Sequence, residues 1–122
     1  KFKKVRKPLS AIALTTDSSI ITSIANDFSF DQIFSKQIQA LGKKGDVLIG
    51  ISTSGTSTNV LNALKTAKKE KISTILLTGN IKKQYNYVDL KIGVPSSSTA
   101  RIQEIHEIIY HSICEIVESN LV

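Results

Sequence analysis

Apolar and polar positions follow two different rhythms along the chain, and the switches between them mark out the elements. Val47-Leu48-Ile49-Gly50-Ile51, within Asp46 to Ser52, is a continuous apolar run of strand length, the pattern of a strand covered on both faces. Ile72 to Thr78 and Val88 to Val94 repeat the pattern, and the shorter Ala11-Ile12-Ala13-Leu14-Thr15 reads as a further buried strand. Between these runs the apolar spacing changes to three and four. Asp17 is placed to cap a short helix running to about Ala25. Ser29 to Leu41 predicts a second helix, with Ile33, Phe34, Ile38 and Leu41 on one stripe and Gly42 as its stop. Ser57 to about Glu70 predicts a third, with Val60, Leu61, Leu64 and Ala67 facing inward. Pro95 breaks the chain before a long helix from about Thr99 to Ser119, in which Ile102, Ile105, Ile108, Ile109, Ile113, Ile116 and Val117 form a broad stripe that calls for burial.

Strands alternating with helices through short connections define crossover units and a parallel sheet, so the expected fold class is α/β, with residues 1–122 as a single domain. Four strands are few for an open sheet covered on both sides. The chain also contains no methionine, and its opening seven residues, with Lys1, Lys3, Lys4, Arg6 and Lys7, make a patternless start to a domain. The expectation is that sequence upstream of Lys1 supplies another strand and further helices.

Composition narrows the partners. No apolar run approaches the roughly 18 to 20 residues of a membrane span, and no signal segment opens the chain, so no membrane partner is expected. The single cysteine excludes an internal disulfide and suits a soluble, cytoplasmic protein. Sixteen Lys and Arg against ten Asp and Glu give a net charge of +6, which raises the question of an anionic polymer as partner. The basic residues cluster at the amino end and in scattered pairs such as Lys43-Lys44, Lys68-Lys69 and Lys82-Lys83, without interleaved aromatics. A solvated surface accounts for them, and no nucleic-acid partner is expected.

In parallel sheets ligands sit beyond the carboxyl ends of the strands. There the chain places Ser52-Thr53-Ser54-Gly55-Thr56-Ser57, between a buried strand and a helix start. The amino end of a helix offers unpaired backbone N–H groups and a positive dipole end, and Gly55 permits the tight turn that aims them at one point. Hydroxyls of Ser52, Thr53, Ser54 and Ser57 add neutral donors, a set suited to a phosphate monoester held without a lysine. The plainer reading is a Ser/Thr-rich turn with Ser57 as an ordinary cap. Five hydroxyls in six residues favour the phosphate site. The loop is neither a Walker loop nor a dinucleotide fingerprint.

The last helix carries a second set. Gln103, Glu107 and His111 share a polar strip, with His106 projecting to the other side. Each histidine is open to two readings, a general acid or metal ligand on one hand and an ordinary helix residue on the other. The Asn26-Asp27 pair is likewise either a plain turn or a contact to sugar hydroxyls.

Taken in order, Ala11-Ile12-Ala13-Leu14-Thr15-Thr16-Asp17, Asn26-Asp27-Phe28, Gly45-Asp46-Val47-Leu48-Ile49-Gly50-Ile51-Ser52-Thr53-Ser54-Gly55 and Thr99-Ala100-Arg101-Ile102-Gln103-Glu104-Ile105-His106 resemble the sedoheptulose 7-phosphate isomerases, also called phosphoheptose isomerases, of the sugar isomerase (SIS) domain superfamily. The resemblance runs over nearly the whole chain. It implies a flavodoxin-like parallel sheet flanked by helices, with a long final helix. It implies that Ser52, Thr53, Ser54 and Ser57 grip the sugar phosphate, that Asn26 and Asp27 contact the substrate, and that Gln103 and His111 are zinc ligands near the reacting carbons. His111 would be an acid-base partner or a ligand, and His106 would pack or line an interface. Eight helical residues rise about 12 Å, so the Gln103 and His111 pairing rests on the resemblance rather than on spacing.

The activity implied is conversion of sedoheptulose 7-phosphate to D-glycero-D-manno-heptose 7-phosphate for bacterial surface-polysaccharide heptose. The enzymes resembled are homotetramers, which implies a homo-oligomer here, and their remaining zinc ligands and a further sugar loop would precede Lys1. Ala100 stands where some members carry a carboxylate, and the loop after Gly79 is short and poor in glycine. Two other readings share the superfamily: a non-enzymatic SIS-domain protein that associates with the replication initiator, and an enzyme acting on an amino-sugar phosphate. The histidine at 111 together with Ser52-Thr53-Ser54 favours the isomerase.

Overall fold

A computed structural model describes residues 2–121. Three parallel strands, β1 (Val47–Ser52), β2 (Ser73–Thr78) and β3 (Leu90–Gly93), lie side by side in that order. The β1 to β2 register pairs Val47 with Ser73 and runs to Ser52 with Thr78, so both strands end level at one edge of the sheet. Four helices accompany them: α1 (Ser18–Asp27), α2 (Ser35–Leu41), α3 (Thr58–Lys69) and α4 (Thr99–Leu121). The architecture is the expected α/β class with a parallel sheet and a long final helix.

The pleat sends alternate side chains to opposite faces, and this decides the packing. Leu48, Gly50 and Ser52 of β1 face α3, where a side chain at Gly50 would meet Val60 Cγ1 at 2.9 Å and Leu64 Cδ1 at 3.2 Å. That glycine lets the helix settle directly on the strand. Leu64 and Leu76 are sealed from solvent in the cluster that results, with Leu48, Val60, Leu61, Ile81 and Tyr87 around them. A second cluster joins Ile38, Ala63, Ala67 and Ile72, with Leu14, Phe34 and Leu48 packed against it, and so ties α2 to α3.

Several expectations need correction. Residues 11–15 form no strand: the segment runs beside β1 across a cavity of about 460 Å³ that both line, and the carbonyl of Leu14 accepts from the buried side chain of Gln37 (3.0 Å) instead of a ladder amide. Ser29 to Leu41 is not one helix: after an extended Ser29 the amides of Gln32 and Ile33 bond three residues back in a 3-10 turn, Phe30–Gln32, and the side chain of Gln37 takes the Ile33 carbonyl (2.9 Å) as α2 begins. The first helix starts as read, with Asp17 accepting from the Ile20 amide at 3.0 Å.

Nor is the sheet covered on both faces. Val47 is 59% exposed and Ile51 48%, whereas their neighbours Gly50 and Ser52 are buried. Of the apolar stripe of α4 only Ile102 is buried; Ile109 and Ile113 are half-buried, and Ile105, Ile108, Ile116 and Val117 are exposed. The helix touches the sheet near its start, where a side chain at Gly79 would meet Ile102 Cδ1 at 2.7 Å and the ring of His106 lies 3.1 Å from the carbonyl oxygen of Thr78.

Its far end is held differently. The buried carboxylate of Glu118 accepts the backbone N–H groups of Phe2 (3.0 Å), Lys3 (2.6 Å) and Lys4 (3.0 Å) and the Arg6 Nε (2.9 Å). Lys3 also pairs with Glu115. The basic opening run, whose Lys1 lies outside the described residues, is thus a clasp on α4 from Phe2 to Arg6.

Candidate active site

The sheet ends level at Ser52 and Thr78, and α3 starts at Thr58, so residues 53–57 occupy the mouth of the sheet at the amino end of a helix. Ser52 is only 5% exposed, and its Oγ stands 2.8 Å from Ser57 Oγ and 3.4 Å from Ser54 Oγ. Ser54 Oγ accepts from the amide (3.2 Å) and hydroxyl (3.0 Å) of Thr56. Ser57 holds the cap position of α3 but makes no side-chain cap bond. Its hydroxyl is engaged with Ser52, and the Val60 N–H donates to Asn59 Oδ1 (2.8 Å), which leaves the Thr58 and Asn59 amides free to meet a ligand. The plainer reading of Ser57 as an ordinary cap is therefore overturned.

Backbone bonds fix the loop from behind. Gly55 donates to the Ser52 carbonyl (2.9 Å), Gly79 donates to that of Thr53 (3.0 Å), and the hydroxyl of Tyr85 donates to that of Gly55 (2.7 Å). Gly55 has φ +66°, and a Cβ there would lie 2.3 Å from Ile81 Cδ1 and 2.7 Å from Thr78 Oγ1. Both the dihedral and the space require glycine. Neutral hydroxyls and open amides at the positive end of a helix suit an anion with several oxygens.

On the opposite face of the sheet, α4 and Ile51 border a shallow cleft lined also by Gln103, His106, Glu107 and Tyr110. His106 is buried against the Thr78 carbonyl, and its Nδ1 has no partner. Burial pushes the Tyr110 phenol above its ordinary range, and the charge of Glu107 adds to the effect. Gln103 and His111 are exposed. The His111 ring sits outside this cleft, with the Phe2 ring 6.0 Å away and Tyr110 edge-on at 5.1 Å. Asn26 and Asp27 are exposed at the end of α1 and bond each other (3.0 Å); no hydrogen bond joins them to the hydroxyl loop.

The structure therefore gathers Ser52, Ser54 and Ser57 into one cluster with Thr53 in its backbone. It does not bring Gln103 and His111 together, nor Asn26 and Asp27 to the loop. A structural zinc takes four protein donors and a catalytic one about three, with a position left for water or substrate. The described residues hold no group of three His, Cys, Asp or Glu able to seat a metal, and Gln103 and His111 are only two donors two turns apart on one helix. These two donors do not complete a shell for the ion within this chain, and no step below passes through it. Tyr85 was invisible to sequence reading, since a tyrosine in an irregular loop carries no periodic signal.

A parallel α/β sheet with a hydroxyl-lined loop at the end of its first strand defines a class, and comparison with known families places the chain in it. A family model described as SIS domain matches residues 2–79, and the chain belongs to the SIS domain family. Among curated relatives, it is similar to the phosphoheptose isomerase of Aliarcobacter butzleri, 49% identical over 99% of this chain and 65% of the relative. The phosphoheptose isomerase of Maridesulfovibrio salexigens is 52% identical over 97% of this chain and 58% of that protein. Among solved structures, phosphoheptose isomerase GmhA from Neisseria gonorrhoeae superposes with a TM-score of 0.82 at 46% identity, covering 88% of this chain and 62% of that one. A phosphoheptose isomerase from Francisella tularensis gives 0.88 at 43% identity, covering 93% and 62%. The chain thus spans less than two thirds of the length of these relatives.

Proposed function

We propose that this chain forms the phosphate-binding part of an isomerase that interconverts sedoheptulose 7-phosphate and D-glycero-D-manno-heptose 7-phosphate, in the cytoplasm, for bacterial heptose synthesis. The observation that carries the reading is the Ser52, Ser54 and Ser57 cluster at the open amino end of α3. The phosphoryl end of the sugar binds there through hydroxyls and amides, and its position sets where the carbonyl end lies. The similarity to proteins named phosphoheptose isomerase supports the sugar.

Ketose and aldose exchange by moving a proton between adjacent carbons while the neighbouring oxygens carry the developing charge. Asn26 and Asp27 are assigned to the sugar hydroxyls, and His111 to proton transfer. Both assignments require these exposed groups to meet substrate held by the loop. The exposed apolar faces of β1 and α4 support a homo-oligomer as the working form, a tetramer in this reading.

The test is turnover of sedoheptulose 7-phosphate by the whole protein and by its Ser52→Ala and His111→Ala variants. Turnover lost in both, with the fold retained, is the expected outcome. Undiminished turnover in either variant removes that residue from the mechanism, and absence of turnover in the unmodified protein overturns the enzymatic reading.

A further inference from the structure

The chain between β2 and β3, residues 79–89, contains no helix or strand, yet it buries Tyr85. The ring is fixed from several sides. Lys91 Nζ donates to the carbonyls of Ile81 (3.0 Å) and Lys83 (3.0 Å), which holds the loop in place. Tyr87 stacks at 5.3 Å from Tyr85, and Lys83 Nζ lies 5.1 Å from the centre of the Tyr85 ring. So held, the phenol meets the Gly55 carbonyl at 2.7 Å.

A trans peptide unit is planar, and its C=O and N–H point in opposite directions. No peptide among the described residues is cis. Holding the Gly55 carbonyl inward against Tyr85 therefore turns the Thr56 N–H outward, to the exposed side where it donates to Ser54 Oγ at 3.2 Å. Without the phenol, that carbonyl is a buried acceptor left unpaired. Rotation of the Gly55-Thr56 peptide plane would relieve it, and a glycine offers little resistance. The rotation would present an oxygen to an anion in place of an N–H.

We infer that Tyr85 is a positioning residue for phosphate binding: its hydroxyl locks the Gly55-Thr56 peptide so that the Thr56 N–H holds the Ser54 hydroxyl in place and an N–H, not a carbonyl oxygen, lies on the side of the phosphate site. The inference rests on the reading of this loop as a phosphate site.

Tyr85→Phe keeps the ring and removes only the bond. The 122-residue chain and this variant are titrated calorimetrically with inorganic phosphate and with sedoheptulose 7-phosphate, while the Thr56 amide is followed by NMR and thermal unfolding is recorded. The expected result is binding to Tyr85→Phe weakened about five- to tenfold for both probes, the loss of one hydrogen bond to the loop. The Thr56 amide should also lose its response to phosphate, at a similar Tm. A variant that melts earlier but binds with unchanged affinity makes Tyr85 a packing residue and overturns the inference while the phosphate site stands. Lys91→Met frees the same loop without touching the phenol, and is expected to weaken phosphate in the same direction; unchanged affinity there counts equally against the inference. If the unmodified chain binds neither probe, the phosphate reading falls, and the role of Tyr85 with it.

Discussion

The hydroxyl oxygens of Ser52 and Ser57 stand 2.8 Å apart, joining the last residue of β1 to the residue that opens α3. A side chain at that helix position ordinarily bonds the helix's own amides. Here it is turned away from them, and the stability the cap would supply is given up in favour of an open amino end. Ser57→Ala removes no cap bond but takes from the buried Ser52 hydroxyl its 2.8 Å partner, so the unfolding free energy is expected to fall by about 1 kcal/mol, the cost of that one bond. Phosphate affinity should fall about tenfold for one donor removed. Calorimetric titration and urea unfolding of the same variant check the two halves separately.

Gly55→Ala tests the turn. The residue sits at φ +66° with Ile81 Cδ1 and Thr78 Oγ1 in the space a Cβ would need. The left-handed dihedral alone costs on the order of 1 to 3 kcal/mol for a residue that is not glycine, and the clash adds to it. Urea denaturation should show at least this loss, and a neutral substitution would mean that the loop relaxes freely.

Leu64 measures how firmly α3 is seated. Its side chain is 0% exposed, between β1, β2 and the loop after β2. Leu64→Ala is expected to lower the unfolding free energy by about 2 to 5 kcal/mol, the range for a leucine truncated in a core that cannot collapse around the gap.

The clasp on α4 gives a pH dependence with a definite sign. Burial acts to raise the Glu118 carboxyl, but the N–H groups of Lys3, Phe2 and Lys4 and the Arg6 side chain outweigh it and hold the group at about 2, against an ordinary 4.5. A carboxyl lowered on folding stabilises the protein fully above its unfolded value and loses that contribution as pH falls towards its folded one. The Tm should therefore decline between pH 4.5 and 2. Glu118→Gln should start lower at pH 7 and show a shallower decline, and parallel Tm profiles for the two proteins would exclude the clasp as the source.

The open faces predict self-association. Ile108 is 60% exposed and Ile116 59%, on a helix whose other side meets the sheet. Sedimentation velocity should show a species larger than the 13.3 kDa chain, and Ile108→Asp with Ile116→Asp should shift it to the monomer. A wild-type chain that is monomeric at all concentrations would remove the oligomer from the proposal.

The strands at 47–52, 73–78 and 90–93 and the helices α3 and α4 were legible because each has a long, uniform period of its own. The hydroxyl loop was legible because its chemistry is contiguous in sequence. What failed was local pattern without a partner. Ala11 to Thr15 has the composition of a strand, but pairing depends on another strand's edge, and here the side chain of Gln37 takes the Leu14 carbonyl. The stripe on α4 correctly signalled apolar surface, yet periodicity states only that a face is apolar and never what covers it. Tyr85 and Glu118 reach their partners from 30 and 112 to 116 residues away, and such contacts leave no trace in local spacing.

The bonds from Phe2 and Arg6 to Glu118 join segments 116 and 112 residues apart in sequence. Closing so long a loop carries a large entropic cost that only a nearly finished structure can offset. The clasp is therefore expected to form late in folding and to open early, so that loosening it speeds unfolding more than it slows folding.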